Sequence, residues 1–135
     1  MNSRFLDAGY VIALEVLDDQ HHQDAQRYWK TLLKEENISL VTTSYVISEV
    51  VTFLNTKQQH SKALRVGNNL LTSAPIHVVH VDEALFYQGW EYFGQHQDKT
   101  FSLTDCISFV LMKKLGIREA LSFDRHFVQG FIKLP

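Results

Sequence analysis

Short apolar runs alternate along the chain with longer segments that have a helical period. Runs rich in Val, Ile, Leu or Phe, with the length of strands, are found at residues 4–6, 40–42, 76–81 and 120–123. A further run at residues 131–134 is expected to add an edge strand. Four to five strands are therefore predicted.

The segments between these runs repeat apolar residues at i, i+3, i+4 and i+7, as amphipathic helices do. This period predicts helices over residues 25–33, 46–54, 63–71, 84–93 and 103–115. The predicted N-caps are Ser44, Asp82 and Ser102, and Gly116 is a predicted helix stop. Two helices follow one another between the second and third strands.

Alternation of strands and helices favours right-handed crossovers between parallel strands, with helices on both faces of the sheet. The predicted fold is a three-layer α/β/α arrangement around a mostly parallel central sheet. The chain has 135 residues and contains no repeat or Pro/Gly-rich linker, so we predict a single domain over residues 1–135.

Composition indicates an ordinary globular protein, with 45% hydrophobic and 21% charged residues. The single cysteine, Cys106, cannot form an intramolecular disulfide, and the N-terminus does not resemble a secretory signal. No apolar run approaches the roughly 20 residues that span a bilayer. We therefore expect a cytoplasmic protein with no membrane segment.

The net charge of −2 argues mildly against a nucleic-acid partner, because such binding draws on Lys and Arg contacts to phosphates. A local basic patch can coexist with that total. The candidates are Lys57, Lys62 and Arg65, or Lys113, Lys114 and Arg118. Either cluster is also explained as a solvated helix face.

Acidic residues occupy the positions where ligands bind in such a fold. In an open parallel sheet this is the edge at the carboxyl ends of the strands. The polar residues predicted there are Asp7, Glu49, Asp105 and Asp124. Two carboxylates about 5 Å apart repel by roughly 3 kcal/mol at an effective dielectric near 20. Protonation, a nearby Lys or Arg, or a divalent cation could offset that repulsion.

A cation accounts for these acids most simply. Neither Cys nor His accompanies them at zinc-like spacing, and an oxygen-only site suits Mg²⁺ or Mn²⁺. Such ions lower the pKa of a bound water and stabilise a leaving oxygen, which is the chemistry of phosphodiester hydrolysis. Taken alone, each acid also fits a folding role, as a turn residue, a first-turn charge or a solvated helical residue.

Four motifs in order resemble the PIN-domain family, which includes the VapC-type toxins of toxin–antitoxin systems. FLD at residues 5–7, followed by VIAL at 11–14, resembles the opening strand, aspartate and first helix. TSYVISE at 43–49 resembles the second-acid helix, and SLTD at 102–105 resembles the third. LSFDRHF at 121–127 resembles the terminal strand and fourth acid.

The resemblance implies a metal-dependent endoribonuclease that uses Mg²⁺ or Mn²⁺ and is the toxin of a type II toxin–antitoxin pair. It implies direct or water-mediated metal ligands at Asp7, Glu49 and Asp105, with Asp124 contributing at a second position or through water. Thr104 is either an orienting hydroxyl for Asp105 or a metal water, or only a helix cap. The implied partners are RNA, a cognate antitoxin and a second copy of the chain.

One position departs from the family pattern. Members commonly carry a small hydroxyl or amide residue two places after the first aspartate, where this chain has Gly9. A catalytically silent RNA-binding or protein-interaction module with the same fold is therefore the alternative. A phosphoacceptor receiver domain fits less well, because Ala8 follows Asp7 and Arg125 follows Asp124.

Three other features are assigned structural roles. The DDQHH tract at residues 18–22 is interpreted as a turn and the start of a helix rather than a metal site. Cys106 lies on an apolar helix stripe and is predicted to be a buried hydrophobe. His126 is assigned a surface or packing role, with substrate contact or proton transfer as its alternative.

Overall fold

The computed structural model describes residues 3–135, which form five strands, six α-helices and one short 3-10 helix. In chain order the elements are β1 (Ser3–Leu6), α1 (Ala8–Glu15), α2 (His22–Leu32), β2 (Ser39–Thr43), α3 (Ser44–Thr56), α4 (His60–Thr72), β3 (Ile76–Val79), α5 (Glu83–Gln95), α6 (Leu103–Leu115), β4 (Glu119–Leu121), the 3-10 helix (Arg125–Gln129) and β5 (Ile132–Leu134). Each predicted strand is present. None of the helices within residues 3–135 is long and apolar enough to cross a membrane.

The five strands form one parallel sheet in the order β3-β2-β1-β4-β5. The chain winds outward from β1 through β2 to β3, and then returns across the sheet to β4. Right-handed crossovers place α1 to α4 on one face and α5 and α6 on the other. The predicted three-layer α/β/α fold is thereby confirmed. The direction of winding reverses between β1 and β4, where sheets of this kind bind ligands.

One predicted helix cap was wrong by a single residue. The N-cap of α3 is Thr43, whose Oγ1 accepts the N–H of Val46 at 3.1 Å, and not Ser44. Thr43 has an extended backbone, so it ends β2 and caps α3 at the same time. The Ser44 hydroxyl instead accepts the N–H of Val81 at 2.9 Å and fixes the chain just beyond β3. That strand ends at Val79, earlier than the apolar run predicts.

The other predicted helix ends are confirmed. Asp82 caps α5 by accepting the N–H of Leu85, and Ser102 caps α6 in a capping box with Asp105. Gly116 ends α6 in the left-handed conformation, at φ 70°.

An aromatic cluster fixes the segment that follows β4. Phe127, in the 3-10 helix, is fully buried, stacks on Phe5 at 6.3 Å between ring centroids and meets Phe109 edge-on at 5.0 Å. Edge-to-face and stacked pairs of this kind add to the stabilisation that burial provides. The anchored ring holds Asp124 and His126, on its N-terminal side, against the end of the sheet.

Helices α5 and α6 approach closely at a glycine. A Cβ placed on Gly89 would lie 2.4 Å from Cγ1 of Ile107 and 3.2 Å from its Cα. The first separation is far shorter than a carbon–carbon contact, so the absence of a side chain at residue 89 sets the spacing of these helices. Ile107 lies two residues beyond Asp105, and the contact therefore also sets the position of that acid.

We predict that Gly89→Ala destabilises the protein by about 1 to 3 kcal/mol, because the added methyl forces the two helices apart. The matched control is Gly94→Ala on the same helix, where a Cβ would meet nothing within 4 Å. That change is expected to be neutral or to stabilise by up to about 1 kcal/mol through helix propensity. Urea unfolding measures both, and equal stability of the two variants would contradict the packing argument.

Candidate active site

The four predicted acids lie at the carboxyl edge of the sheet, on four different segments. Asp7 lies between β1 and α1, Glu49 is in the second turn of α3, and Asp105 is the third residue of α6. Asp124 was expected to end β4; it lies three residues beyond that strand and caps the 3-10 helix by accepting the N–H of His126 at 2.9 Å. The charges of Asp105 and Asp124 raise the pKa of both Asp7 and Glu49, so the four acids share one field.

Asp7 is the most deeply buried of these acids, with 7% of its surface exposed. It occupies the N-cap position of α1 but makes no side-chain capping bond. Burial raises the pKa of its carboxyl to about 7, a hydrogen bond from Ser122 opposes that rise, and the charges of Asp105 and Asp124 add to it. A group with such a pKa in a crevice is typical of a functional site.

Ser122 is a site residue that sequence reasoning did not single out. Its side chain is fully buried, and its hydroxyl donates to Oδ2 of Asp7 at 2.8 Å while accepting the N–H of Asp124 at 2.9 Å. One hydroxyl therefore joins the segment after β1 to the segment after β4. The only sequence signal was a polar residue inside the apolar run that leads to Asp124.

The hydrogen bond from Ser122 to Asp7 is relevant to residue 9, where the family commonly has a hydroxyl or amide side chain and this chain has glycine. A Cβ at residue 9 would lie 4.0 Å from Oδ2 of Asp7, so a hydroxyl side chain there would stand beside this carboxylate. Ser122 already donates to that oxygen. Asp7 thus has a hydroxyl partner from the segment after β4, although residue 9 of α1 offers none.

Asp105 combines a folding role with a place in the site. Its carboxylate accepts the N–H of Ser102 at 3.2 Å, and its own N–H donates to the Ser102 hydroxyl at 3.0 Å. Burial raises the pKa of the Asp105 carboxyl and the charge of Asp124 adds to the rise, whereas the bonds to Ser102 and the nearby His126 lower it. The helix-start explanation is confirmed for Asp105, and its carboxylate also lies beside His126 at the sheet edge.

Glu49 is the most exposed of the four acids and faces Thr104. Partial burial raises the pKa of its carboxyl, and a hydrogen bond with the Thr104 side chain lowers it. Ser102 is the N-cap of α6, so Thr104 is not the cap, and Thr104 and Glu49 line the same cleft. A cleft of about 380 Å³ opens here, lined by Tyr45, Ser48, Glu49, Thr52 and Thr104.

His126 lies against two of the acids, which the sequence did not predict. Its Nδ1 is 3.0 Å from Oδ1 of Asp124 and 3.8 Å from Oδ2 of Asp105. Within residues 3–135, these three residues are the group whose potential metal-binding atoms all lie within 4.8 Å of one another. The sequence analysis considered only oxygen ligands, and the structure places a histidine nitrogen beside two of the acids. The expected packing role is also present, since the ring meets Phe101 edge-on at 5.1 Å.

These residues fit a divalent cation. Burial raises the pKa values of Asp7, Glu49 and Asp105, and the charges of neighbouring acids add to the rise. The buried Nδ1 of His126 has no hydrogen-bond partner, although a carboxylate oxygen lies 3.0 Å away. A cation bound here would neutralise the carboxylates and give Nδ1 of His126 a partner.

Two other sequence features have the structural roles that were predicted. Residues 18–21 form a turn before α2, and His22 begins that helix with its Nδ1 bonded to the carbonyl of Ala13 at 2.8 Å. Cys106 is fully buried, and burial raises the pKa of its thiol to about 11. A thiol in that state is not a nucleophile near neutral pH.

One candidate basic patch is engaged with its own neighbours. Lys57 lies over the ring of Phe53, Lys62 donates to the carbonyl of Glu15, and Arg65 pairs with the Glu15 carboxylate at 3.7 Å. These contacts support the alternative that these three residues belong to a solvated helix face and not to a nucleic-acid-binding patch.

A family model, a curated protein and a solved structure each match nearly the whole chain. A family model described as PIN domain matches residues 4–130, which include all four acids. The chain is 30% identical over 131 residues to the 23S rRNA-specific endonuclease VapC20 of Mycobacterium tuberculosis, covering 96% of each protein. The crystal structure of that protein, described as a sarcin-ricin loop cleaving toxin, superposes with a TM-score of 0.85 at 30% identity over 95% of each chain.

Two more distant structures share the fold. VapBC2 from Rickettsia felis, bound to a DNA fragment from their promoter, superposes with a TM-score of 0.69 at 10% identity, over 97% of this chain and 96% of that one. FitAcB from Neisseria gonorrhoeae superposes with a TM-score of 0.62 at 14% identity, over the same shares. At these identities the likeness concerns the fold alone.

Proposed function

The chain belongs to the PIN domain family, and from that premise we propose that it is a metal-dependent endoribonuclease, the toxin of a type II toxin–antitoxin pair. The observation that carries the proposal is the convergence of Asp105 and Asp124, beside His126, at the sheet edge where the winding reverses. The relative VapC20, named an RNA endonuclease, supports RNA as the substrate and the cytoplasm as the place of action.

The metal ligands in this proposal are Asp7, Glu49, Asp105 and Asp124, which would hold Mg²⁺ or Mn²⁺. When bound, the ion supplies a water of lowered pKa and stabilises charge on the leaving oxygen of the phosphodiester. Binding the ion competes with protonation of Asp7, because burial raises the pKa of this carboxyl to about 7. Ser122 holds the Asp7 carboxylate in place for this step.

The substrate-facing side of the site is the cleft beside Glu49. Thr104 and the ring of Tyr45 line this cleft together with Glu49. An unpaired RNA base can stack on such a ring while its phosphate lies against the acids. Recognition of an exposed loop nucleotide fits this arrangement better than recognition of a duplex.

We predict cleavage of a hairpin RNA that carries the sarcin-ricin loop sequence when Mn²⁺ or Mg²⁺ is present, and loss of cleavage in EDTA. Gel analysis of end-labelled RNA measures both the rate and the site of cutting, and the same RNA with a 2′-deoxy loop serves as a substrate control. Cleavage that persists in EDTA would refute metal dependence. RNA binding without cleavage at any metal concentration would favour the silent module.

The proposed partners are an antitoxin and a second copy of the chain. Helix α5 exposes an aromatic stripe, with Tyr87, Trp90 and Phe93 between 41% and 60% exposed and the last two rings stacked at 5.7 Å. Exposed apolar patches of this kind are typical of interaction surfaces, and we assign this one to a homodimer. Light scattering of the purified chain tests the homodimer. Co-purification with the product of a neighbouring short reading frame tests the antitoxin.

A further inference from the structure

The buried Nδ1 atom of His126 lies beside two carboxylate oxygens without forming a hydrogen bond to either. Its near neighbours are Oδ1 of Asp124 and Oδ2 of Asp105, at 3.0 and 3.8 Å. Neither oxygen lies where an Nδ1–H bond would point, so the atom makes no hydrogen bond within the described residues 3–135. An unprotonated Nδ1 in this position can offer its lone pair to a cation that the two carboxylates bind.

The opposite ring nitrogen accounts for this orientation. Nε2 of His126 lies 3.0 Å from Oγ1 of Thr100, in hydrogen-bonding geometry. When Nε2 carries the proton and donates it to this hydroxyl, Nδ1 is left unprotonated. Metal-binding histidines are held in the same way, with the second nitrogen donating to a fixed acceptor. The edge-on contact with Phe101 limits rotation of the ring.

The separations match those of ligands that share one ion. With metal–ligand bonds of about 2.1 Å, two ligands at a right angle are about 3.0 Å apart and two opposite ligands about 4.2 Å apart. The observed 3.0 and 3.8 Å fall within that range. The nitrogen therefore lies close enough to each of the two oxygens to share one ion with it.

We infer that His126 Nδ1 is a direct nitrogen ligand of the divalent ion that Asp105 and Asp124 hold, an inference that rests on the proposed metal dependence. A nitrogen donor changes which ion the site prefers. Carboxylates and water alone suit Mg²⁺, whereas an imidazole favours first-row transition ions. The site accordingly selects a transition ion such as Mn²⁺ over Mg²⁺, and Thr100 is a positioning residue for the ligand.

The direct test is pulsed electron paramagnetic resonance of the full chain loaded with Mn²⁺. A bound imidazole nitrogen gives a ¹⁴N modulation of the Mn²⁺ signal, which we expect in the wild type. Growth with ¹⁵N-histidine should replace that modulation without any change of sequence. His126→Gln should abolish it, and His77→Gln, on the exposed surface of β3, should leave it intact.

Calorimetry gives a second readout that does not depend on activity. His126→Gln is expected to weaken Mn²⁺ binding by at least about tenfold and Mg²⁺ binding by much less, and Thr100→Val should weaken Mn²⁺ binding to a smaller extent. If Mn²⁺ binds without ¹⁴N modulation, His126 is an internal counterion of the acids and the inference fails while the proposed function stands. If no divalent ion binds, both fail.

Discussion

Asp7→Asn is expected to lower the RNA cleavage rate by at least about 100-fold while making the metal-free protein more stable. The amide has the shape of the carboxylate and can still accept the Ser122 hydroxyl, but it carries no charge to bind a cation. In the metal-free wild type, burial raises the Asp7 pKa from 3.8 to about 7. That difference corresponds to about 4 kcal/mol by which the ionised carboxyl opposes folding.

The variant therefore separates a binding role from a structural one. Urea unfolding in EDTA at about pH 8 should show a gain of up to about 4 kcal/mol for Asp7→Asn, together with loss of cleavage in Mn²⁺. Asp18→Asn is the control, because that acid lies exposed in the turn before α2 and should change neither quantity. If Asp7→Asn cleaves RNA as fast as the wild type, Asp7 is not a ligand.

The second large effect concerns pH. The pKa of Asp7 is higher in the folded protein than in the unfolded chain, so between about pH 4 and pH 7 the folded protein binds more protons. The free energy of unfolding therefore falls as the pH rises through this range. The raised pKa values of Glu49 and Asp105 act in the same direction. Metal-free protein should therefore be most stable in mild acid, as far as these groups determine it, and should lose stability toward neutral pH.

A divalent cation should reverse that loss. At about 100 times its dissociation constant a bound ligand adds about 2.7 kcal/mol, and at about pH 8 we expect Mn²⁺ to raise the free energy of unfolding by this order. Near pH 5, where Asp7 is protonated, the gain should be much smaller, because the ion must displace the proton. Thermal unfolding with Mn²⁺ or EDTA across this range tests the coupling. Metal-free stability that rises between pH 5 and 7 would contradict it.

The order of elements could be predicted from sequence because hydrophobic period reports which face of each segment is buried. The exact residues at which strands and helices begin and end could not be predicted. Thr43 and Ser44 are both good caps, and only the extended backbone of Thr43 decides between them. Asp124 was predicted at a strand end because the apolar run continues to Phe123, whereas β4 ends at Leu121.

The acids of the site could be predicted because parallel strands bring their carboxyl ends to one edge, and the family resemblance pointed to the same four residues. Ser122 and His126 could not be found in that way. Ser122 acts by bridging two segments that are 115 residues apart in sequence. His126 reaches Asp105 only because Phe127 is buried and the chain turns into a 3-10 helix, which no period in the sequence marks.

The junctions at the carboxyl edge of the sheet determine where this protein can change its length. Asp7 alone separates β1 from α1, and no residue separates β2 from α3, whereas three or more residues connect α2, α4 and α6 to the strands that follow them at the opposite edge. One residue inserted between Thr43 and Glu49 would rotate the acid about 100° around the axis of α3. Insertions and deletions among natural variants should therefore collect at the opposite edge, which can be lengthened without moving an acid.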